Sequence, residues 1–187
     1  MEWFGRLLRP FRPGVDALTS NKLGRSIPSG IAVTSPVFKE SEAIPSRYTV
    51  DGDGQFPGIA WEGLPAETKS VVLLVEDADI PLVVPVTHLI VHSIDPALPG
   101  LGTGAVPPFM PGPAPSGWSC GRNFLGAAGW TPPAPPPGHG EHRYAFQVFA
   151  LDAPVTFRHP PRRGRLMRRI RPHIIARGSL VGTYSKS

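Results

Sequence analysis

The chain has 187 residues, with 25 prolines, 21 glycines and a formal net charge of +5. This length suits one domain with a buried core, and the abundance of proline and glycine favours short strands over long helices. The single cysteine, Cys120, excludes an internal disulfide framework, and no apolar run is long enough to cross a bilayer. Because a secretory signal is also not recognisable, we expect a soluble cytoplasmic protein.

The first predicted element is a short amphipathic helix within residues 3–9, stopped by Pro10 and Pro13. Its apolar residues are Trp3, Phe4, Leu7 and Leu8. This piece could make a peripheral contact with a membrane surface, but it is too short to bury much area in lipid. We therefore favour docking on its own domain or on a second copy, which would give a homodimer. Residues 1–29 are predicted to be an extension, and residues 30–187 the domain.

Short strands follow, separated by turn residues. The predicted strands are 31–35, 48–50, 59–61, 71–76, 87–92, 142–151 and 179–184. Strand 71–76 is apolar on both faces, which predicts a strand covered on both sides. Alternation within strand 87–92 predicts that His88, Ile90 and His92 share one face.

A long proline-rich segment, residues 96–137, connects these strands to the next one. It holds twelve prolines and a single charged residue, Arg122. A disordered linker is usually richer in charge. The aromatic residues Trp118, Phe124 and Trp130 instead predict a segment that packs down as a lid or wall.

The strand at 142–151 begins after a predicted turn at Gly138, His139 and Gly140. Its two faces are both mostly apolar, which predicts a central strand. One face carries His142, Tyr144, Phe146, Val148 and Ala150, and the other carries Arg143, Ala145, Gln147, Phe149 and Leu151. A polar pair, His142 and Tyr144, at the mouth of a buried strand is typical of the rim of a small-molecule pocket.

A helical apolar stripe comes next, made by Leu166, Met167, Ile170, Ile174 and Ile175. Pro172 is predicted to kink or split this helix, and Gly178 to cap its end. Seven arginines between 158 and 171 could attract nucleic acid or anionic lipid. Because no aromatic or glycine-rich RNA motif accompanies them, we favour a solvated helix face and expect no nucleic-acid partner. The whole pattern predicts a mostly-β sandwich with one C-terminal helix and a long proline-rich loop.

Five polar residues at strand ends or adjoining turns are candidates for chemistry: Asp77, Asp79, His88, His142 and Tyr144. They could form a metal site, an acid–base pair or an anion pocket, and each could also be purely structural. Their spacings match no tight zinc pattern, and no G-x-S-x-G motif supplies an activated serine. We therefore expect neither a metal nor a cofactor. His92 and His139 are interpreted as structural or solvent-exposed.

The ordered motifs resemble the phosphatidylethanolamine-binding protein family, and more narrowly its bacterial Raf-kinase-inhibitor-like branch. The resemblance rests on Asp77-Ala78-Asp79-Ile80-Pro81, on a strand opening near His88, and on Pro135-Pro136-Pro137-Gly138 followed by His142-Arg143-Tyr144. Further matches include Asp51-Gly52, Trp61, Asn123-Phe124 and Gly182-Thr183-Tyr184. The resemblance spans roughly residues 30–185.

The resemblance implies an antiparallel β-sandwich with a surface pocket for a small anion, such as phosphate, acetate or a phospholipid head group. The implied pocket residues are Asp77, His88, His142 and Tyr144, with Asp79 and Pro81 shaping the loop and Ala134 and Pro135 on the opposite wall. The expected function is non-enzymatic ligand binding. The alternatives are a regulatory protein that inhibits a kinase or protease and, more weakly, a hydrolase that uses the His and Asp residues.

Overall fold

A computed structural model describes residues 3, 6, 7, 10, 12–24, 26–110 and 112–186. Its strands are β1 (Ala32–Thr34), β2 (Ile59–Glu62), β3 (Ser70–Asp77), β4 (Val86–Ile94), β5 (Gly100–Leu101), β6 (Ser119–Cys120), β7 (His142–Leu151) and β8 (Ile174–Tyr184). Its helices include α1 (Thr19–Lys22) and α2 (Arg163–Ile170), with 3-10 turns at Val15–Ala17, Ser46–Tyr48 and Arg171–His173. Across these ranges, no helix is long and apolar enough to cross a membrane.

The strands form two antiparallel sheets, which confirms the predicted mostly-β sandwich. The smaller sheet has the order β1-β2-β5, and the larger has the order β6-β4-β3-β7-β8. β7 lies between β3 and β8, as expected for a strand that is apolar on both faces. Every residue of β3 is buried, which confirms the prediction that this strand is covered on both sides.

The core consists of two layers, one on each face of the larger sheet. Between the sheets, Leu73 and Val75 of β3 pack with Phe146 and Val148 of β7 and with Trp61 of the smaller sheet. On the outer face, α2 covers the sheet with an apolar side that includes Leu166 and Ile170. This second layer explains why the central strands carry apolar residues on both faces.

Three local predictions differ from the structure. Residues 48–50 are not a strand, because the backbone forms a 3-10 turn at Ser46–Tyr48 and then a further turn. The helix ends at Ile170, and Pro172 lies in the 3-10 turn that follows, so the residues beyond it enter β8. Gly178 does not cap a helix. It lies within β8, where a Cβ atom would collide with the carbonyl oxygen of Ile31.

Strand β4 has an irregularity at His88. Val75 pairs with Leu89, whereas the next residue of β3, Glu76, pairs with Thr87. His88 is therefore left between two consecutive pairs, which is the arrangement of a β-bulge. An extra residue shifts the alternation of side chains on that strand by one position.

The bulge moves His88 to the inner face of the sheet. Its ring centroid lies 5.2 Å from that of Tyr144 and 6.4 Å from that of Trp130, both of which belong to the core between the sheets. Ile90 instead packs in the outer layer, and the ring of His92 contacts Phe157 on that side. The predicted common face of His88, Ile90 and His92 is therefore wrong for His88.

The proline-rich segment 96–137 packs against the sandwich and contributes β5 and β6 to its sheets. Trp118 and Trp130 are buried, as expected for a wall, whereas Phe124 remains 41% exposed. Asn123 organises the end of this segment, because its amide donates to the carbonyl of Gly129 and to the hydroxyl of Thr131.

The N-terminal segment from residue 12 to residue 23 also packs on the larger sheet. The buried carboxylate of Glu76 accepts hydrogen bonds from the backbone and the hydroxyl of Thr19, and Gln147 accepts one from the backbone of Ser20. Of the predicted amphipathic helix, Trp3 and Leu7 are exposed, whereas Phe4 and Leu8 lie outside the described residues.

Candidate functional site

Three neighbouring strands bring the predicted polar residues together at one end of the larger sheet. Asp77 ends β3, His88 lies near the start of β4, and His142 and Tyr144 open β7. The register pairs Asp77 directly with Tyr144. Residues far apart in the sequence therefore converge because antiparallel neighbours place the end of one strand beside the start of the next.

Asp77 and His142 form a buried pair. Nδ1 of His142 lies 2.8 Å from Oδ2 of Asp77, and the backbone N–H of Asp79 donates to Oδ1 of Asp77 at 2.8 Å. Because the carboxylate can only accept, Nδ1 of His142 carries the proton in this bond. Both oxygens of Asp77 are thus already engaged.

His139 completes this arrangement, and of the two predicted alternatives, structural or solvent-exposed, the structure supports the structural one. It is fully buried, and its Nδ1 lies 2.7 Å from Nε2 of His142. The predicted turn is present, with positive φ at Gly138 and Gly140 that glycine adopts without strain. The sequence did carry a signal for this contact, because His139 and His142 are three residues apart and a glycine turn brings them together.

Both ring nitrogens of His142 are consequently occupied, one by Asp77 and the other by His139. In this arrangement His142 has no donor left for an anion, and its bond to Asp77 fixes the orientation of that carboxylate. The sequence interpretation gave His142 direct contact with the ligand, and the geometry favours an indirect contribution.

Tyr144 is a polar residue of the cluster whose hydrogen-bonding capacity is not used. Its hydroxyl is buried and lies near the carboxylate of Asp77 and the backbone of Ala134, but within the described part of the chain it forms no hydrogen bond of ordinary geometry. Burial raises the pKa of Tyr144, and the negative charge of Asp77 raises it further. The phenol therefore stays protonated and remains available as a hydrogen-bond donor.

His88 also has one free ring nitrogen. Its Nδ1 lies 2.8 Å from the carbonyl oxygen of Thr131, so Nδ1 carries a proton and donates. Nε2 makes no hydrogen bond to any described residue. Burial lowers the pKa of His88, although the charge of Asp77 and the Thr131 carbonyl oppose that shift. The imidazole is therefore neutral at neutral pH.

Asp79 has a structural role beside the site. It accepts two hydrogen bonds from the guanidinium of Arg143, at 2.6 and 2.7 Å, and one from the Arg143 backbone at 2.9 Å. Arg12 lies 3.5 Å from the same carboxylate. Burial alone would raise the pKa of Asp79, but the bonds from Arg143 and the charges of Arg143 and Arg12 outweigh it and lower the pKa.

The remaining predicted residues surround this cluster. Pro81 is half-buried and begins an exposed loop, and Pro135 is buried. Ala134 is exposed, but its backbone lies close enough to the Tyr144 hydroxyl to affect the Tyr144 pKa. Ala134 therefore lies near Tyr144, and its place on a pocket wall stays a prediction.

The cluster is closed in this structure, because Asp77, His88, His142 and Tyr144 are each at most 3% exposed. A cavity of about 320 Å³ is lined in part by Thr87 and Phe124, but the side chains of the cluster do not line it. The ring of Phe124, which is itself 41% exposed, lies 5.2 Å from that of His88.

The described residues offer little for metal or thiol chemistry. Among them, no group of three or more His, Cys, Asp or Glu side chains could hold a metal ion. Burial raises the pKa of the Cys120 thiol to about 12, so this cysteine is a poor nucleophile at neutral pH.

Comparisons with known proteins identify relatives of the whole domain. A family model described as phosphatidylethanolamine-binding protein matches residues 34–185. A UPF0098 protein of Pyrococcus abyssi is 36% identical over 158 residues, which cover 81% of this chain and 84% of that protein. A UPF0098 protein of Aquifex aeolicus is 37% identical over 156 residues, which cover 82% of this chain and 88% of that protein.

Two solved structures share the fold. CT736 of Chlamydia trachomatis, described as a putative phosphatidylethanolamine-binding protein homologue, matches with a TM-score of 0.75 at 32% identity, over 85% of this chain and 99% of that chain. E. coli YbcL matches with a TM-score of 0.77 at 25% identity, over 85% of this chain and 100% of that chain. The chain therefore belongs to the phosphatidylethanolamine-binding protein family.

Proposed function

We propose that this protein binds a small anionic or phosphorylated ligand, without converting it, at the cluster of Asp77, His88 and Tyr144. The observation that carries the proposal is the buried hydroxyl of Tyr144, which has no hydrogen-bond partner among the described residues. A buried donor without a partner is costly, and a ligand oxygen at this position removes that cost.

The second contact is Nε2 of His88, which must hold a proton to donate to an anion. Because burial lowers the pKa of His88, its imidazole is neutral at neutral pH in the free protein. A ligand such as phosphate must then bring a proton or cause His88 to take one up. The affinity is therefore expected to fall as the pH rises above neutrality.

Asp77 sets the preference among anions. Its carboxylate repels a bare dianion but favours a ligand that also carries an ammonium group. His142 is hydrogen-bonded to this carboxylate and His139 to His142, so that the carboxylate is held in place. Phosphoethanolamine, which combines a phosphate with an ammonium, should therefore bind more tightly than phosphate alone.

The experiment is a calorimetric titration of phosphoethanolamine into the wild type, Tyr144→Phe and His88→Gln at about pH 6, where the imidazole takes up a proton more readily. We expect saturable binding that weakens by about tenfold or more in each variant, since each loses a bond to a charged group. His92→Gln is the matched control, because His92 is a buried histidine of the same strand that faces the outer layer. Equal affinities in all four proteins would contradict the proposal.

A regulatory role is a second candidate, and one surface feature favours it. Leu82, Val83 and Val84 form an exposed apolar loop between Asp79 and β4, and Val83 is 93% exposed. Such a patch beside a polar cluster is typical of a protein-binding rim. Val83→Ser should then weaken binding of a phosphorylated protein partner while leaving phosphoethanolamine affinity unchanged.

A further inference from the structure

A second concave site lies on the outer face of the larger sheet. It is a cavity of about 320 Å³ lined by Thr156, Phe157, Arg158, Arg165, Arg168 and Arg169, which we call the arginine groove. The groove is separate from the cluster at Asp77 and His88, because its Phe157 contacts His92 in the outer layer whereas His88 contacts Tyr144 in the inner layer.

The helix α2 explains why these arginines converge. Arg165, Arg168 and Arg169 are spaced three and four residues apart and so share one side of the helix. Leu166 and Ile170, on another side, are fully buried against the sheet. The helix is thereby fixed with its arginines outward.

The loop that carries Arg158 is anchored as well. The hydroxyl of Ser93 donates to the carbonyl of Val155 at 2.7 Å, and the ring of Phe157 lies 4.9 Å from that of His92. Arg158 thus faces the helix across the groove from a held segment of chain.

The four arginines of the groove lack acidic neighbours in the sequence. Residues 153–187 contain no Asp or Glu. Within the described part of the chain, none of the four makes an ion pair, in contrast to Arg163, whose Nε lies 2.8 Å from Glu76. Four like charges around one cavity repel one another, and an anion in the cavity would relieve this repulsion.

We propose that the arginine groove binds a small anion that carries two or more phosphate groups. The planar guanidinium matches phosphate oxygens with two parallel hydrogen bonds. The four positive charges exceed the charge of about −2 that a single phosphate carries. The concave shape favours a compact polyphosphate over a flat membrane surface, which would contact only the rim.

This site is independent of the proposed ligand site. His88 and His92 are four residues apart on β4, which corresponds to roughly 13 Å along the strand. They also face opposite layers. Loss of one binding activity should leave the other intact, so the two proposals can fail separately.

The test is a calorimetric titration of inorganic tripolyphosphate into the full chain. We expect saturable binding, weakened by about tenfold or more in Arg168→Gln/Arg169→Gln, since each arginine contributes charged hydrogen bonds. The matched control is Lys39→Gln/Arg171→Gln, which removes the same charge from exposed residues outside the groove. Circular dichroism checks that each variant is folded.

Several outcomes would overturn the proposal. They are the absence of saturable tripolyphosphate binding, an equal loss in the control variant, and orthophosphate binding as tight as that of tripolyphosphate. Binding only to anionic vesicles or to single-stranded RNA would assign the groove to another partner and would equally overturn it.

Discussion

Single residues of the site differ in how much of their hydrogen-bonding capacity is used. Asp77 and His142 are saturated by their neighbours, whereas His88 and Tyr144 each keep one atom free of partners among the described residues. Sequence motifs identified these four residues. The motifs could not show which of these residues have all their hydrogen-bonding atoms occupied, because that depends on His139 and on distances across the sheet.

Replacing Tyr144 by phenylalanine should separate stability from binding. The hydroxyl has no partner among the described residues, so its loss should change the free energy of unfolding by no more than about 1 kcal/mol. Urea denaturation measures this change. A loss of several kcal/mol would show that the hydroxyl is bonded in the free protein.

His92 should make the protein sensitive to acid. Burial lowers its pKa to about 4, from 6.5. Between these values the unfolded chain binds a proton that the folded chain refuses, so stability falls as the pH falls, by about 3 kcal/mol in total. Urea denaturation at about pH 7 and about pH 4.5 should show a smaller loss in His92→Gln than in the wild type. Equal losses would contradict this assignment.

At the scale of elements, hydropathy patterns predicted β3 and β7 well, because both are long and covered on two faces. The patterns failed at positions where the local conformation depends on contact with another strand or segment. The bulge at His88 depends on the pairing of β3 with β4, and Gly178 is required by the approach of Ile31 rather than by a helix end.

Two glycine substitutions test this interpretation of β8. In Gly178→Ala the new methyl group would collide with the backbone of Ile31, and we expect a loss of about 3 kcal/mol or more. Gly164→Ala is the control, because that glycine lies in α2 with open space around it and should gain about 0.5 to 1 kcal/mol. Thermal unfolding of both variants gives the comparison, and similar melting temperatures would contradict it.

For the molecule as a whole, the predicted boundary between residues 29 and 30 is the feature most open to test. The segment from 12 to 23 supplies Thr19 and Ser20 to buried polar groups, and the sequence alone could not reveal these partners. Deleting residues 1–29 should leave Glu76 without two hydrogen bonds and destabilise the chain by about 3 kcal/mol or more. A truncated chain that melts at the same temperature as the full chain would instead support an independent domain from residue 30.

The central claim is that Tyr144 and His88 hold one anionic group. A crystal structure determined in the presence of phosphate tests it most directly. We expect a phosphate with oxygens within about 3 Å of the Tyr144 hydroxyl and of Nε2 of His88. Phosphate bound only elsewhere, with both atoms left as they are in the free protein, would contradict it.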